Sequence, residues 1–472
     1  MRLFPVNLNV LAWALVLSIS AAAADPASLR VDFSRTNGPV RRLHGLNKGP
    51  LAAGGLIDLT DRWRELAPPL TRLHDCQWPF SDVVDLHSLF RDPAADPANP
   101  DSYDWLLTDS YLAAIRQTGA AIVFRLGESI EHWPVKRFVH PPRDPDRWAA
   151  VCLGVIRHYN EGWAAGVRYN IRYWEIWNEP ENRPTMWSGS DDDYLRLYRT
   201  AARSIKQRFP DLKVGGPATG YPGRFDNGRF VPAGFVTNFL ASCRRDSVPL
   251  DFFSWHCYTA DPGELVTRAR AIRGLLDAAG FVATESHLNE WNYLPGDSWD
   301  AFSKSASPEF RRRFYERMSG AEGAAFVAVA LIELQAAPLD VSNFYHGELG
   351  AFGIFDEYGG PNKVFYALRA FSNLARLDWR VPIEGPIPGK LAALAAKQND
   401  GRRAAVLLSN FHSDATTLQL SLAGAETLSG YHVWTIDSQR SWQETAQGRI
   451  GSDKKLQIDL PAPGVALVEI NP

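Results

Sequence analysis

Two glutamates occur in sequence contexts that could support acid–base and nucleophilic chemistry. Glu179 ends the apolar run Tyr-Trp-Glu-Ile-Trp-Asn-Glu-Pro, and Glu290 lies in His-Leu-Asn-Glu-Trp-Asn-Tyr. A carboxylate next to a packed interior is costly unless its pKa shifts or a partner is found. One protonated and one ionised carboxylate, facing each other across a pocket, can protonate a leaving oxygen and attack an acetal carbon. The pair therefore predicts cleavage of a glycosidic bond, with Glu179 as the carboxyl group that holds the proton.

Glu179 and Glu290 are far apart in the chain, so the fold must bring them together. Between residues 40 and 375, apolar strand-like runs alternate with longer amphipathic stretches that predict helices. The eight predicted strands are Arg42–Asn47, Leu70–Asp75, Ala121–Gly127, Ile171–Asn178, Leu212–Pro217, Leu250–Cys257, His287–Tyr293 and one within Ala328–Tyr345. This alternation predicts a (β/α)₈ TIM barrel, an α/β fold in which catalytic side chains lie at the C-terminal ends of strands.

Glu179 follows the fourth predicted strand, and Glu290 lies towards the end of the seventh, so both are at the C-terminal end that the barrel uses for chemistry. A doubly wound nucleotide-binding sheet would alternate in the same way. The segment Gly45-Leu46-Asn47-Lys48-Gly49-Pro50 after the first predicted strand does not fit the glycine-rich phosphate loop of that fold. The barrel is therefore the favoured interpretation.

The pattern changes after residue 375. Short alternating runs separated by Gly, Asn, Asp and Pro predict an all-β sandwich over residues 376–472. Leu29–Phe33, within the N-terminal segment 25–39, is predicted to be a further strand of that β domain. We therefore expect a catalytic barrel over residues 40–375 and a C-terminal β-sandwich domain.

The first residues have the pattern of a signal peptide. Arg2 precedes the apolar run Val10–Ile19, and small residues Ala21–Ala24 follow. The run is short for a membrane span, and no later stretch reaches about 18 uninterrupted apolar residues. We therefore expect residues 1–24 to be removed and the protein to be secreted or periplasmic, without membrane association afterwards.

Charge and cysteine content exclude several classes of partner and site. The chain has 50 Lys+Arg and 53 Asp+Glu residues, without a basic block, which does not suggest a nucleic-acid partner. The spacing of Cys76, Cys152, Cys243 and Cys257 does not fit a zinc site or a thiol-redox motif. One disulfide is compatible with export, but the sequence does not select a pair. We expect no metal and no cofactor, and the oligomeric state stays open.

The Trp177-Asn178-Glu179-Pro180 segment is similar to the acid/base motif of the retaining glycosidase clan with catalytic glutamates after strands four and seven. Four further segments narrow the comparison: Gly45-Leu46-Asn47-Lys48-Gly49-Pro50, Thr71-Arg72-Leu73-His74-Asp75, Ser254-Trp255-His256-Cys257-Tyr258 and Asn289-Glu290-Trp291-Asn292. Together these segments resemble glycoside hydrolase family 39, a family of β-xylosidases and α-L-iduronidases with a (β/α)₈ barrel and an attached β-sandwich.

The resemblance implies roles for individual residues. Glu179 would be the general acid/base and Glu290 the nucleophile, and Asn178 would hydrogen-bond the sugar 2-hydroxyl. Tyr258 would hold the nucleophile, and His256 would contact a sugar hydroxyl. His74 and Arg72 would line the same mouth, where Arg72 would favour the ionised form of Glu290.

Other side chains have both a functional and a structural interpretation. Trp187, Trp291 and Trp299 could be stacking platforms for a sugar ring or core residues, and we favour Trp291 as pocket wall. Glu348 could replace the paired acidic segment that contacts the terminal sugar in the xylosidases, but Ser342–Glu348 matches that segment poorly. Glu175 and Glu285 are rival carboxylates that we expect to be structural.

The sequence thus predicts a retaining glycoside hydrolase, most simply β-xylosidase-like, that acts on an oligosaccharide or polysaccharide through a covalent glycosyl-enzyme. A uronidase or endo-glycanase on the same scaffold is the alternative, with Arg125 and Arg183 as candidate contacts for a uronate carboxylate. A non-catalytic carbohydrate-binding protein is an alternative of another class. Two opposed carboxylates argue against it, because binding alone does not need them.

Overall fold

The structure is a computed structural model that describes residues 27–387 and 389–472. The proposed signal peptide, residues 1–24, lies outside the described residues. Within the described part, the chain forms a closed eight-stranded barrel followed by two packed β-sheets. The predicted fold class, a TIM barrel with a C-terminal β-sandwich, is therefore confirmed.

The barrel consists of eight parallel strands that close in chain order. They are Gly45–Asn47, Leu70–Arg72, Ala121–Leu126, Tyr173–Ile176, Lys213–Thr219, Phe252–Thr259, Glu285–Tyr293 and Val341–Phe344. Their side chains are mostly buried on both faces, because one face lines the barrel interior and the other packs against the helices. Each coincides with a predicted strand to within a few residues.

The fourth strand is shorter than predicted. It ends at Ile176, and Trp177 and Glu179 follow with φ angles of 72° and 46°. Left-handed backbone at residues other than glycine costs about 1–3 kcal/mol and is concentrated at functional sites. The chain therefore leaves the sheet in a sharp turn just where the candidate acid/base stands.

Helices surround the barrel and connect its strands. They are Thr60–Leu66, Leu86–Leu89, Leu106–Gln117, Pro145–Asn160, Asp191–Arg208, Gly234–Arg245, Pro262–Ala278, Pro308–Ser319, Ala321–Glu333 and Lys363–Leu374. Short 3₁₀ turns are Ala53–Gly55, Pro100–Ser102, Trp163–Ala165, Pro295–Asp297, Asp300–Phe302 and Leu334–Ala336. Ser190 and Asp193 form a capping box at the start of Asp191–Arg208.

The β domain contains two sheets with a shared apolar core. One has the strand order Ile383–Glu384, Ala27–Asp32, Thr417–Ala423 and Lys455–Asp459. The other has the order Trp379–Val381, Leu391–Lys397, Ala404–Asn410, Gly464–Asn471, Gly430–Ile436 and Gln443–Arg449. The N-terminal strand Ala27–Asp32 pairs in parallel with Thr417–Ala423, so it is part of the β domain although it precedes the barrel in the chain.

The helix Ala321–Glu333 lies between the barrel and the β domain. It is apolar and buried nearly all round because it packs on barrel helices on one side and on the six-stranded sheet on the other. The Ser409 hydroxyl donates to the Ala325 carbonyl across this contact at 2.9 Å. Among the described residues, no single helix is long and apolar enough to cross a bilayer; only Pro308–Ser319 and Ala321–Ala336 together pass, bent by 43°.

Two small two-stranded sheets lie outside the barrel and the β domain. The short pair Leu51–Ala52 and Ile57–Asp58 follows the first barrel strand. A hairpin of Gly223–Asp226 and Arg229–Pro232 follows the fifth barrel strand and stands beside the barrel mouth. All four cysteines are buried and free, so the disulfide that the sequence left open is not formed.

Candidate active site

A cavity of about 950 Å³ opens at the C-terminal end of the barrel strands. Glu179 and Glu290 both line it, together with Asn178, His74 and Tyr258. The remaining lining residues are Ile130, Glu181, Asn182, Met186, Gly220, Tyr221, Arg224, Val231, Pro232, Ala233, Gly234, Phe235, Trp299, Tyr345 and Phe352. The volume falls in the range of small-molecule sites, which are concave and mostly apolar with a few placed polar groups.

Glu179 is held by the turn after the fourth strand. Its backbone N–H donates to the Ala218 carbonyl at 3.0 Å, and the Asn182 side-chain amide donates to Oε2 at 3.2 Å. Gly220 packs directly against the carboxylate, since a Cβ built there would lie 2.4 Å from Glu179 Oε1. Glycine at 220 therefore leaves room for the carboxylate in its present position.

Glu290 is surrounded by donors and positive charge. The Tyr258 hydroxyl donates to Oε1 at 2.6 Å, the Arg72 guanidinium donates to Oε2 at 3.1 Å, and His74 Nε2 lies 3.3 Å from Oε2. Burial alone would raise the pKa of Glu290, but the charges of His256, His74 and Arg72 outweigh burial and hold this pKa well below its usual value. Glu290 is therefore an ionised carboxylate at neutral pH.

His256 connects the two carboxylates. Its Nδ1 lies 2.7 Å from Glu179 Oε1, and its Nε2 lies 3.7 Å from Glu290 Oε2. The nearest ligand atoms of Glu179, His256 and Glu290 all lie within 4.8 Å of one another. Retaining glycosidases have carboxyl groups about 5–5.5 Å apart, whereas inverting enzymes need about 6.5–9.5 Å. The spacing fits the retaining geometry.

Arg72 ties several parts of the site together beneath the cavity. Besides Glu290, its guanidinium donates to Glu175 Oε2 at 2.6 Å and to Asn178 Oδ1 at 2.7 Å. The Asn178 amide nitrogen donates in turn to the Ser129 carbonyl at 3.2 Å, which fixes the orientation of the amide. Glu175 thus braces the barrel interior, as expected.

A second layer of charge lies behind His74. Asp75 accepts contacts from His74 Nδ1 at 2.6 Å, the Tyr345 hydroxyl at 3.1 Å and Lys48 Nζ at 3.2 Å. Burial alone would lower the pKa of His74, but Glu290 and Asp75 on its two sides raise it. His74 therefore stands as a cation between two carboxylates and adds positive charge beside Glu290.

Two groups of side chains within residues 27–387 and 389–472 have a spacing that could hold a cation: Glu179, His256 and Glu290, and Asp85, His87 and Glu128. In the second, both ring nitrogens of His87 already contact carboxylates, Glu128 at 2.5 Å and Asp82 at 3.0 Å. Burial alone would lower the pKa of His87, but these contacts raise it to about 10. In this second group, the positive charge of His87 thus already compensates the carboxylates. In the first group, Arg72 and His74 supply the positive charge beside the carboxylates.

Comparisons with known proteins agree with this geometry. The model of the glycosyl hydrolases family 39 matches residues 83–272, which include Glu179 and His256. A β-xylosidase of Geobacillus stearothermophilus is 29% identical over 186 residues, 35% of this chain and 34% of that protein. A β-xylosidase of Caldicellulosiruptor saccharolyticus is 25% identical over 344 residues, 65% of this chain and 64% of that protein. The chain thus spans less than two thirds of the length of either relative.

A solved structure extends the likeness over nearly the whole chain. The crystal structure of a glucosidase from Croceicoccus marinus superimposes with a TM-score of 0.79 at 26% identity, and the match covers 95% of this chain and 99% of that one. The chain is thus similar to glycoside hydrolase family 39. The resemblance seen in the sequence motifs is therefore confirmed.

The predicted contact residues fall into two groups by their depth in the barrel. Asn178, His74 and Tyr258 line the cavity beside the carboxylates. Arg72 and His256 are buried beneath and act on the cavity through the carboxylates that they contact. Trp299, which the sequence left between wall and core, lines the cavity and is 51% exposed.

Three predicted contact residues lie elsewhere, and these predictions are wrong. Trp291 is fully buried and donates to Ser342 Oγ at 2.8 Å, because strand residues alternate and the neighbour of Glu290 must face the helix layer. Trp187 is fully buried and packs against Trp177 at 4.8 Å between ring centroids. Both tryptophans belong to the core of the barrel domain.

Glu348 is the third correction. It is fully buried, accepts from the Tyr111 hydroxyl at 3.1 Å, and lies 3.8 Å from Lys48 Nζ. Burial raises the pKa of Glu348 to about 8, mainly because its charged form is poorly solvated there. The carboxyl group points into the protein, and Tyr345 and Phe352 line the cavity in this region instead.

Sequence reasoning missed several residues that shape the site. Glu181 accepts from Thr219 Oγ1 at 2.7 Å and from the Tyr221 N–H at 3.0 Å, which ties the loop after the fourth strand to the loop after the fifth. Tyr345 directly follows the eighth strand, so the rule that located the glutamates could also have found it. The hairpin that carries Arg224 and Val231 had no sequence signal that pointed to the cavity.

Proposed function

We propose that this chain is a retaining glycoside hydrolase, in which Glu179 is the general acid/base and Glu290 the nucleophile. The observation that supports it most is the pair of carboxylates with their nearest oxygens within 4.8 Å at the mouth of the barrel. One of them, Glu290, has its pKa held well below its usual value by neighbouring positive charge. An ionised carboxylate at this position is what a nucleophile requires.

In the first step, the Glu290 carboxylate attacks the anomeric carbon while Glu179 gives its proton to the leaving oxygen. The glycosidic C–O bond breaks, and a glycosyl ester on Glu290 forms. In the second step, Glu179 takes a proton from water, the resulting hydroxide oxygen bonds the anomeric carbon, and the ester bond to Glu290 breaks. Tyr258 and Arg72 hold the nucleophile in line, and His256 holds Glu179 on the opposite side.

We take β-D-xylose as the first candidate for the sugar, because both curated relatives are named β-xylosidases. β-D-Glucose is the second candidate. It is favoured by the glucosidase whose structure is similar over nearly the whole chain, and by the inward position of Glu348, which leaves the cavity without that acidic contact.

Neither basic residue considered for a uronate carboxylate supports a uronidase. Arg125 is buried and pairs with Asp85, and Arg183 pairs with Asp191, so both charges are already compensated. Neither of them lines the cavity.

A panel of 4-nitrophenyl glycosides tests the activity: β-D-xyloside, β-D-glucoside, β-D-galactoside, α-L-arabinoside and α-L-iduronide. Glu290→Ala should lose essentially all turnover on every substrate that the native protein cleaves. Glu179→Ala should lose much less on nitrophenyl glycosides than on alkyl glycosides, because nitrophenolate needs little protonation to leave. Equal losses on both substrate types would contradict the assignment of the two roles. Turnover lost on treatment with EDTA would contradict a metal-free mechanism.

We also propose that the protein is exported and acts outside the cytoplasm. The support is the arrangement of Arg2, the apolar run Val10–Ile19 and the small residues Ala21–Ala24. N-terminal sequencing of the protein from culture medium or periplasm should find a mature chain that begins near residue 25. Recovery of a full-length chain from the cytoplasm would contradict export.

A further inference from the structure

We propose that the leaving-group side of the cavity binds an apolar alcohol, such as an alkyl, aryl or terpenoid aglycone, rather than a second sugar. The inference rests on the proposed function and names the class of glycoside that the site would cleave. It is carried by the composition of one wall of the cavity and by the way in which a hairpin is held against it.

The position of the proton donor defines which wall meets the leaving group. Glu179 must reach the leaving oxygen, so the group attached to that oxygen lies on the side of Glu179 that faces away from Glu290. The cavity residues close to Glu179 in the chain or in contact with it are Asn178, Glu181, Asn182 and Gly220, and Met186 follows in the same loop. The wall continues from Gly220 through Tyr221 into the hairpin Gly223–Asp226 and Arg229–Pro232.

The hairpin presents one of its two faces to the cavity. Arg224 is paired with Val231, so their side chains are on the same face, and both line the cavity. Phe225 and Phe230 occupy the other face, where the Arg268 guanidinium stacks over both rings at 5.6 and 5.9 Å. Arg268 also donates to the Gly223 carbonyl at 2.7 Å. These contacts to helix Pro262–Ala278 fix which face the hairpin turns towards the cavity.

Apolar side chains predominate on this wall and some of them are unusually exposed. Tyr221 is 52% exposed and Val231 38%, although both are large hydrophobic residues. Ile130, Met186 and Phe235 continue the apolar surface. Exposed apolar side chains that lie together in one cavity are typical of a ligand-binding surface.

Beside Glu179, the polar groups of this wall are engaged with the protein or buried, whereas the Arg224 side chain on the hairpin is exposed. The Asn182 amide donates to Glu179, and Glu181 Oε1 accepts from Thr219 and from the Tyr221 N–H. A second sugar would bring hydroxyl groups that lose their hydrogen bonds to water, and each unpaired hydroxyl would cost binding free energy. An apolar aglycone has no such requirement and buries the exposed faces of Tyr221 and Val231.

Alkyl β-D-xylosides or β-D-glucosides, whichever sugar the nitrophenyl panel selects, test the proposal because methyl, butyl and octyl glycosides have nearly the same leaving-group chemistry. We expect kcat/KM to rise about tenfold from methyl to butyl if roughly half of the added methylene surface is buried. The octyl glycoside should also exceed the disaccharide of the same sugar, xylobiose or cellobiose. Val231→Asn should remove most of the gain from methyl to butyl, measured as the ratio of the two kcat/KM values within the variant.

Val282→Asn is the matched control. Val282 is 74% exposed and lies just before the seventh barrel strand, at the opposite end of the barrel, so the same change there should leave the chain-length dependence intact. Equal kcat/KM for methyl and octyl glycosides, or faster cleavage of the disaccharide than of the octyl glycoside, would overturn the inference while leaving the proposed hydrolase activity in place. If the native protein cleaves no glycoside, the proposed function itself fails first.

Discussion

Replacing Tyr258 by phenylalanine removes a single hydroxyl group that donates to Glu290 Oε1 at 2.6 Å. The ring should stay in place, because it packs against Trp299 at 5.2 Å and Phe352 at 5.8 Å between centroids. The substitution therefore isolates the effect of one hydrogen bond on the candidate nucleophile.

The size of the effect follows from the charge of the acceptor. A hydrogen bond to a charged group contributes about 1.5–3 kcal/mol, and each pKa unit corresponds to about 1.36 kcal/mol. Since the bond stabilises the ionised form, its loss should raise the pKa of Glu290 by about one to two units. The acid limb of kcat/KM, which reports the ionisation of the nucleophile in the free enzyme, should move upward in pH by the same amount.

The assay is a pH profile of kcat/KM for the native protein and Tyr258→Phe on the best nitrophenyl glycoside. Tyr345→Phe is the matched control, because Tyr345 lines the same cavity but donates to Asp75 rather than to Glu290. We expect the control to shift the acid limb by less than about 0.3 unit. A folded Tyr258→Phe protein whose acid limb coincides with that of the native protein would refute the reasoning.

Three further substitutions test other parts of the structure. Gly220→Ala places a Cβ 2.4 Å from Glu179 Oε1 and should displace this carboxyl group. We therefore expect kcat/KM to fall about 100-fold on methyl glycosides and far less on nitrophenyl glycosides. Equal losses on both substrates would argue against displacement of the acid. Burial raises the pKa of Glu348 to about 8, so the folded protein keeps a proton that the unfolded chain releases, and stability should fall as the pH rises from about 5 to about 8. Glu348→Gln should flatten that fall in Tm, and an unchanged slope would show that other groups cause it. Ser190→Ala removes the N-cap of helix Asp191–Arg208 and should lower the free energy of unfolding, measured in urea, by about 1 kcal/mol without a change in kcat. A loss of activity would contradict a purely structural role of the cap.

The barrel could be predicted from local patterns because a strand buried on both faces needs a continuous apolar run. Ala121–Leu126 and Phe252–Thr259 are such runs, and both are close to the predicted bounds. Strands with few buried residues were missed. Gln443–Arg449, whose side chains are mostly exposed, forms an edge strand through pairing with Gly430–Ile436, and its own sequence does not indicate this.

Contacts of side chains were predictable only where strand position alone decides them. Tyr258 and His256 are two residues apart on one strand and therefore share a face, and both reach the carboxylates. Trp291 was wrongly assigned to the cavity because its proximity to Glu290 in sequence was given more weight than strand alternation. Whether the carboxylate of Glu348 turned inward or outward depended on Lys48 and Tyr111, which are distant in the chain.

By itself, the sequence determined the order of strands and helices, the closure of eight strands into a barrel, and the strand ends at which Glu179 and Glu290 stand. These features follow from hydrophobic periodicity and steric rules that act over a few residues. Only the tertiary structure decided the charge around Glu290 and the apolar wall beside Glu179. Both arise where loops from different strands converge, and the pKa of a carboxyl group or the surface of a cavity depends on every group that packs there, irrespective of its place in the chain.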